Sequence, residues 1–124
     1  MIVGIGIDLI EVERVMEKIN KSEGFREKVF SAHEISFCES KANKAENYAA
    51  RFAAKEAFLK ATGLGLGLSH ELAEIEVKNN RSGQPMLVLN GSSKEKSSQH
   101  NWNKIHVSIS HLQSMACAIV IIEQ

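Results

Sequence analysis

The chain has 124 residues with 15 basic and 15 acidic side chains, so its formal net charge is zero. A chain of this length is expected to fold as a single domain, which we assign to residues 1–124. A hydrophobic content of 44% is ordinary for a globular protein. The balanced charge argues against nucleic-acid binding, because that function usually needs a clear basic excess.

The first residues carry no basic cluster, and Asp8 interrupts the apolar run early. They therefore predict neither a signal peptide nor a membrane-spanning segment. The two cysteines, Cys38 and Cys117, form no CxxC pair and are interpreted as buried free thiols. We expect a cytoplasmic protein with no membrane partner.

A strand is predicted over residues 2–10, where apolar residues alternate with glycine. One face of this strand is apolar, and the other carries Gly4 and Gly6 and ends in Asp8. Glycines in a strand often mark the close approach of another group. Asp8 has two interpretations: it is an N-cap of the helix that follows, or it is a functional carboxylate.

Amphipathic periodicity next predicts helices over residues 11–21, 22–29, 32–40 and 47–62. Ser22 and Ser31 are the expected caps of the second and third helices. Residues 41–46 are polar and predict a turn. Gly63 is the expected end of the long helix, and the glycine-rich residues 63–67 predict a flexible loop.

The second half of the chain predicts strands over residues 73–78, 85–89, 104–110 and 115–122. Residues 79–84 form the expected turn between the first two, and residues 92–99 predict a short helix or a loop. The last strand is nearly all apolar and is expected to be central and buried on both faces. This order of elements predicts an α+β fold.

Glu56 interrupts an apolar stripe of the long helix, where a carboxylate is costly unless it is paired or binds a cation. One interpretation is a salt bridge to Lys60, worth only ~0.3–0.5 kcal/mol on an exposed helix. The other is a magnesium site shared with Asp8, because Mg²⁺ takes one or two carboxylates together with phosphate oxygens. Lys60 would then reach the same phosphates.

Two further patterns have both a functional and a structural interpretation. His106, Ser108 and Ser110 form a polar strand face, typical of an exposed sheet edge or of a site for a phosphate-bearing ligand. The glycine-rich residues 63–67 lack the Walker pattern, so they indicate either a helix exit or a backbone that approaches a ligand.

Three segments carry a resemblance to a known family: residues 4–11 with Arg14 following, residues 51–61, and residues 106–111. In this order and spacing they resemble the bacterial holo-[acyl-carrier-protein] synthases, which are 4′-phosphopantetheinyl transferases. The resemblance covers nearly the whole chain. It implies a compact α+β subunit whose antiparallel sheet packs against a long central helix, and a homotrimer that binds coenzyme A between neighbouring subunits.

The resemblance also implies roles for individual residues. Asp8 and Glu56 match the Mg²⁺ ligands, and Lys60 matches a lysine near the pyrophosphate. The positions that match the nucleotide-binding region are Arg51, Lys55, Gly63, Gly65, His106 and Ser108. The positions expected to dock an acidic carrier protein are Arg14, Lys18, Lys21, Phe25 and Arg26. Arg14, Lys18 and Lys21 form a basic stripe on the first helix, and the neighbouring Glu11, Glu13 and Glu17 reduce its positive charge. The alternative interpretation is a solvated helix face.

The implied reaction transfers phosphopantetheine from coenzyme A to a serine of apo acyl carrier protein, a step that serves fatty acid biosynthesis. It releases adenosine 3′,5′-bisphosphate. The base that accepts the serine proton is Glu56 or a water held by the metal. Two alternatives are a metal-dependent phosphohydrolase that uses the same carboxylates and a non-catalytic module that binds coenzyme A or a nucleotide.

Overall fold

The structure is a computed structural model that describes residues 1–64 and 72–124. Most of the predicted glycine-rich loop, including Gly65, lies outside these residues. The strands are β1 (Ile2–Glu11), β2 (Ile75–Asn79), β3 (Pro85–Leu89), β4 (Lys104–His111) and β5 (Met115–Glu123). The helices are α1 (Val12–Lys21), α2 (Phe25–Val29), α3 (Ala32–Glu39), α4 (Lys44–Thr62) and α5 (Gly91–Gln99), with a 3₁₀ turn over Leu72–Glu74.

The strands form two antiparallel sheets, one in the order β1-β5-β4 and one that pairs β2 with β3. The 19-residue helix α4 packs across β1 and β5. The predicted α+β class is therefore confirmed. Within the described residues, no helix is both long enough and apolar enough to cross a membrane.

Several helix boundaries differ from the prediction, and local hydrogen bonds explain them. Ser22 does not cap α2, because α2 begins only at Phe25 with Gly24 as its N-cap; Ser22 is the C-cap of α1, and its backbone N–H donates to the Lys18 carbonyl. Ser31 does cap α3: its Oγ accepts from the Glu34 N–H at 3.2 Å, and its own N–H donates to Glu34 Oε1 at 2.9 Å. Helix α4 begins at Lys44, earlier than predicted, and ends at Gly63, whose φ of 69° suits glycine.

The glycine face of β1 lies directly against α4. A Cβ on Gly4 would overlap the Ala61 carbonyl oxygen, and a Cβ on Gly6 would overlap that of Ala57. The strand backbone and the helix backbone therefore meet without side chains between them. This contact brings the end of β1, which carries Asp8, next to the middle of α4.

The other face of the β1-β5-β4 sheet is uncovered in a single chain, although part of it is apolar. Ile7 is 59% exposed and Leu9 is 65% exposed. We call this side the open sheet face; it carries Ile5, Ile7, Leu9, Ile119, His106 and Ser108. Strand β5 is central as predicted, but the prediction that both of its faces are buried is wrong for the single chain, because only the side toward α4 is closed.

Candidate active site

Two carboxylates from separate elements lie in the wall of one cavity. Asp8 comes from β1 and Glu56 from α4, and both line a cavity of about 440 Å³. The Asp8 side chain is only 15% exposed. The glycine contact described above makes this meeting possible, because it places β1 at backbone distance from α4.

The carboxylate pair is short of compensating positive charge. Burial raises the pKa of Glu56, the negative charge of Asp8 raises it further, and Lys60 and Lys18 oppose this only in part. Within residues 1–64 and 72–124, Glu56 forms no ion pair or hydrogen bond, so the predicted bridge to Lys60 is not present. A divalent cation would supply the missing charge.

The donor set fits magnesium. Among the residues that the structure describes, no group of three or more His, Cys, Asp or Glu side chains is arranged to hold a metal. Asp8 and Glu56 thus offer two carboxylates and no closed protein cage. Mg²⁺ is commonly held by one or two carboxylates, with water and substrate phosphates filling the other positions.

Lys60, one turn after Glu56 on α4, is bonded to the Asp8 carboxylate and not to Glu56. Its ammonium donates to Asp8 Oδ1 at 3.0 Å and to the Ile7 carbonyl at 2.9 Å. The side chain stays largely exposed. An ammonium has three donors, so one remains for a ligand beside Asp8.

Lys55 lies in an environment that differs from the predicted nucleotide contact. It is fully buried, and its ammonium donates to Glu34 Oε1 at 2.7 Å, to the Leu72 carbonyl at 2.9 Å and to the Ile75 carbonyl at 2.6 Å. All three donors are used within the protein. The structure therefore corrects this prediction, and Lys55 joins α4 to α3 and to the start of β2.

Arg51 lines a second, smaller cavity of about 210 Å³ together with Asn47, Asn79 and His111. It is 4% exposed, its guanidinium lies 4.1 Å from the centroid of the Phe37 ring, and burial lowers its pKa. In the described part of the chain its Nε has no hydrogen-bond partner. A buried cation without a carboxylate partner is suited to an anionic ligand.

The sequence interpretation missed the other residues of this second cavity. Asn47 lies one turn before Arg51 on α4, a spacing that was available as a signal. His111 ends the recognised strand motif, and its Nδ1 lies 2.8 Å from Glu46 Oε1. Asn79 comes from a separate hairpin, and no local pattern links it to Arg51.

His106 and Ser108 do not join the Asp8–Glu56 cavity within one chain. Both point to the open sheet face, whereas Asp8 points to the side that α4 covers. Strand β5 also lies between them, since Ser108 pairs with Ile119 and Ile119 pairs with Ile7. His106 Nε2 lies 2.7 Å from Glu123 Oε1.

Of the two glycines predicted to lie near the nucleotide, only Gly63 is among the described residues. Gly63 is the C-cap of α4, and a Cβ there would meet no atom of the described residues within 4 Å. Its position beyond Lys60 is open to a ligand. Gly65 lies outside the described residues.

The predicted carrier-docking residues other than Arg26 fall into three environments. Arg14 and Lys18 line the Asp8–Glu56 cavity, and Arg14 lies 3.8 Å from Glu11. Lys21 is exposed at the end of α1. Phe25 is half-buried against Phe52, with ring centroids 6.2 Å apart.

Arg26 is held by acidic neighbours. Its guanidinium lies 2.8 Å from Glu27 Oε2 and 3.4 Å from Glu39 Oε2. These pairs are solvent-exposed, so each stabilises the fold by no more than about 1 kcal/mol. An acidic partner would compete with both glutamates for this guanidinium.

Comparison with known proteins identifies the class to which this fold and site belong. A family model described as the 4′-phosphopantetheinyl transferase superfamily matches residues 4–120, and the chain belongs to that superfamily. This confirms the resemblance read from the three sequence segments.

Individual relatives are similar over almost their whole length. The chain is 47% identical to the holo-[acyl-carrier-protein] synthase of Cytophaga hutchinsonii, over 98% of this chain and 97% of that protein. It is 44% identical to the enzyme of the same name from Syntrophus aciditrophicus, over 99% and 97%. The crystal structure of a holo-(acyl-carrier-protein) synthase from Bacillus anthracis in complex with CoA (3′,5′-ADP) matches with a TM-score of 0.79 at 35% identity, over 98% and 96%.

Proposed function

We propose that this protein transfers 4′-phosphopantetheine from coenzyme A to a serine of an apo acyl carrier protein, the activity in the names of its relatives. The observation that carries the proposal is that Asp8 and Glu56 line the same cavity and that Lys60 is bonded to Asp8. The coenzyme A complex of the Bacillus anthracis relative supports the choice of donor substrate.

The proposed reaction exchanges the phosphoanhydride link of coenzyme A for a phosphodiester link to the serine. The serine oxygen forms a bond to the β-phosphorus of coenzyme A, and the pyrophosphate P–O bond breaks. The electron pair leaves with adenosine 3′,5′-bisphosphate, and the serine proton goes to a base. The product carrier would then serve fatty acid biosynthesis.

Asp8 and Glu56 are the proposed ligands of Mg²⁺. When bound, the ion would offset the negative charge that develops on the phosphate oxygens. Glu56 is assigned the serine proton, because it lines the cavity and has no hydrogen bond in the described residues, whereas Asp8 accepts from Lys60. The remaining ammonium donor of Lys60 is assigned to the leaving phosphate beside Asp8.

A nucleotide is the proposed ligand of the remaining site residues. Arg51 is a buried cation that lacks an anionic partner in the described residues, and a phosphate of coenzyme A would provide one. His106 and Ser108 are proposed to contact the coenzyme A that is bound at a neighbouring subunit. Gly63 and Gly65 are proposed to let the backbone approach the same ligand.

A homotrimer is the proposed assembly: the family resemblance implies it, and the open sheet face offers an apolar surface for it. The exposed isoleucines and Leu9 form an apolar patch of the kind that marks an interaction surface. Assembly through this face would also bring His106 and Ser108 of one chain toward the cavity of another. Ile7→Glu should yield monomers by light scattering with reduced transfer; a trimer that persists would contradict this assembly.

The acidic carrier is proposed to dock along the exposed side of α1. Arg14 and Lys21 supply positive charge there, with Arg26 on α2 nearby. Because Arg14 also lines the Asp8–Glu56 cavity, a carrier on this face would present its serine at the cavity mouth. Phe25 adds an apolar contact only through the part of its ring that Phe52 leaves uncovered.

A mass assay tests the proposed function against its alternatives. Apo carrier protein incubated with the enzyme, coenzyme A and Mg²⁺ should gain the mass of one phosphopantetheine group. Hydrolysis of coenzyme A without carrier would indicate a phosphohydrolase, and binding without turnover would indicate a non-catalytic module. A cytoplasmic location completes the proposal, in accord with the free thiols of Cys38 and Cys117.

A further inference from the structure

Lys18 lies at the reaction cavity and not only on the outer surface of α1. It lines the same cavity as Asp8 and Glu56. Its ammonium lies 5.9 Å from the centroid of the Phe25 ring and 6.0 Å from that of Phe52. Phe52 and Glu56 are one helical turn apart on the same side of α4, so the ammonium is held one turn from the catalytic carboxylate.

Among the described residues the ammonium of Lys18 has no carboxylate partner, unlike Arg14 in the wall of the same cavity. Arg14 lies near Glu11, Arg26 pairs with Glu27 and Glu39, and Lys60 donates to Asp8. No ion pair or hydrogen bond holds the Lys18 ammonium within residues 1–64 and 72–124. Two aromatic faces position it by cation–π attraction and leave its N–H groups for a ligand.

The chemistry of the cavity determines which ligand would meet this ammonium. Two carboxylates that hold Mg²⁺ leave the other coordination positions to water and to phosphate oxygens of the substrate. A phosphate at that position is an anion next to the cavity wall. A lysine ammonium is a compact point charge that binds phosphate through charge-assisted hydrogen bonds.

We propose that Lys18 binds a pyrophosphate oxygen of coenzyme A and is thus a substrate-contacting residue of the reaction cavity. This inference rests on the proposed function and divides the basic stripe of α1 into two parts. Lys21 and the outer side of the helix meet the carrier protein, whereas Lys18 meets the donor substrate. Coenzyme A recognition would then extend from α4 to α1.

Binding measurements without a carrier protein test this division. Lys18→Met removes the charge and keeps the length of the side chain beside the two rings. Calorimetric titration of the variant with coenzyme A in saturating Mg²⁺ should give an affinity about 10-fold weaker than that of the wild type, which corresponds to about 1.4 kcal/mol. Lys18→Arg should retain most of the affinity, because it retains the charge.

Lys21→Met is the matched control, with the same change one turn further along α1. It should leave the affinity for coenzyme A unchanged and raise the KM for the carrier. Thermal melting of each variant establishes that the fold is intact. If Lys18→Met binds coenzyme A as tightly as the wild type, the inference is overturned, and a raised carrier KM would then assign Lys18 to the docking surface.

The wild type separates failure of this inference from failure of the proposed function. A wild-type enzyme that does not bind coenzyme A overturns both. A wild-type enzyme that binds coenzyme A and modifies the carrier upholds the proposed function, and the comparison of Lys18→Met with Lys21→Met alone then decides the role of Lys18.

Discussion

Lys55 and Glu56 are neighbours on α4, yet one is enclosed by the protein and the other faces a cavity. Consecutive helical residues point about 100° apart, so the two side chains lie on different sides of the helix. Lys55 is fully buried with three acceptors, while Glu56 has no ion pair or hydrogen bond in the described residues. The protein neutralises the charge of Lys55, which therefore has a structural role. It leaves the charge of Glu56 uncompensated in the wall of the candidate active site.

The two environments have opposite consequences for stability. The Lys55–Glu34 pair lies in the core, and removing one partner would leave a buried charge without compensation. The Asp8–Glu56 pair places two like charges beside each other before any cation binds. One turn of α4 therefore carries both a buried ion pair that is costly to break and a carboxylate pair that is unfavourable without its ligand.

Lys55→Met should produce the largest loss of stability. It strands the carboxylate of Glu34 in the core, so we expect the free energy of unfolding to fall by about 3–5 kcal/mol in urea denaturation. Lys60→Met is the control on the same helix, because its pair with Asp8 involves an exposed ammonium and is worth at most about 1 kcal/mol. Equal losses in the two variants would contradict the distinction between the two regions.

A second substitution sharpens that result. Lys55→Met combined with Glu34→Gln neutralises both partners and keeps an acceptor for the Val77 N–H, which donates to Glu34 Oε2 at 2.9 Å. The double variant should be more stable than Lys55→Met alone by about 1 kcal/mol. A double variant that is less stable than Lys55→Met would contradict this and point to the Ser31 N–H, which donates to Glu34 Oε1 at 2.9 Å, as the bond whose loss dominates.

Glu56→Gln should lose activity without losing stability. We expect transfer to fall by about 10²–10³-fold, as when other preorganised electrostatic groups are removed. A carboxyl group whose pKa is raised in the folded state stabilises the fold below its unfolded pKa of about 4.5, and this contribution is lost as the pH rises through the folded pKa. At neutral pH the metal-free variant should thus be at least as stable as the wild type; lower stability with full activity would place Glu56 among the structural charges.

Gly6→Ala tests the contact that brings the two carboxylates together. Its Cβ would overlap the Ala57 carbonyl oxygen, so β1 must move away from α4 at a cost of about 1–3 kcal/mol. The same movement carries Asp8 away from Glu56 and should weaken Mg²⁺ binding. Ile5→Ala, on the open sheet face of the same strand, should leave Mg²⁺ binding unchanged. If both variants weaken Mg²⁺ binding equally, the metal site does not depend on the contact between Gly6 and α4.

The sequence was sufficient to predict the features that depend on local pattern. The alternation of glycine and apolar residues placed β1, and the carboxylate in an apolar stripe singled out Glu56. Ser31 was correctly predicted as a cap because its partner, Glu34, lies only three residues away. These features depend on neighbours along the chain, and the resemblance then joined Asp8 to Glu56.

The features that depend on distant partners could not be predicted. The resemblance assigned Lys55 to the nucleotide, and no pattern along the chain shows that Glu34 and two carbonyls enclose its ammonium. Residues 92–99 were predicted as a short helix or a loop, and the pattern alone could not decide between the two. The segment forms α5, whose first turn is bonded to a distant residue, because the Ser92 N–H donates to Glu74 Oε2 at 2.9 Å. His106 was grouped with the other site residues because alternation gives the two faces of a strand and not which one α4 covers.

The proposed activity depends on one divalent cation bound by Asp8 and Glu56 together. Titration with Mn²⁺ as a paramagnetic substitute for Mg²⁺, in the presence of coenzyme A, measures this directly by electron paramagnetic resonance. We predict one tight site per wild-type chain and strong weakening in both Asp8→Asn and Glu56→Gln. A variant of either residue that binds Mn²⁺ as tightly as the wild type would contradict the shared site.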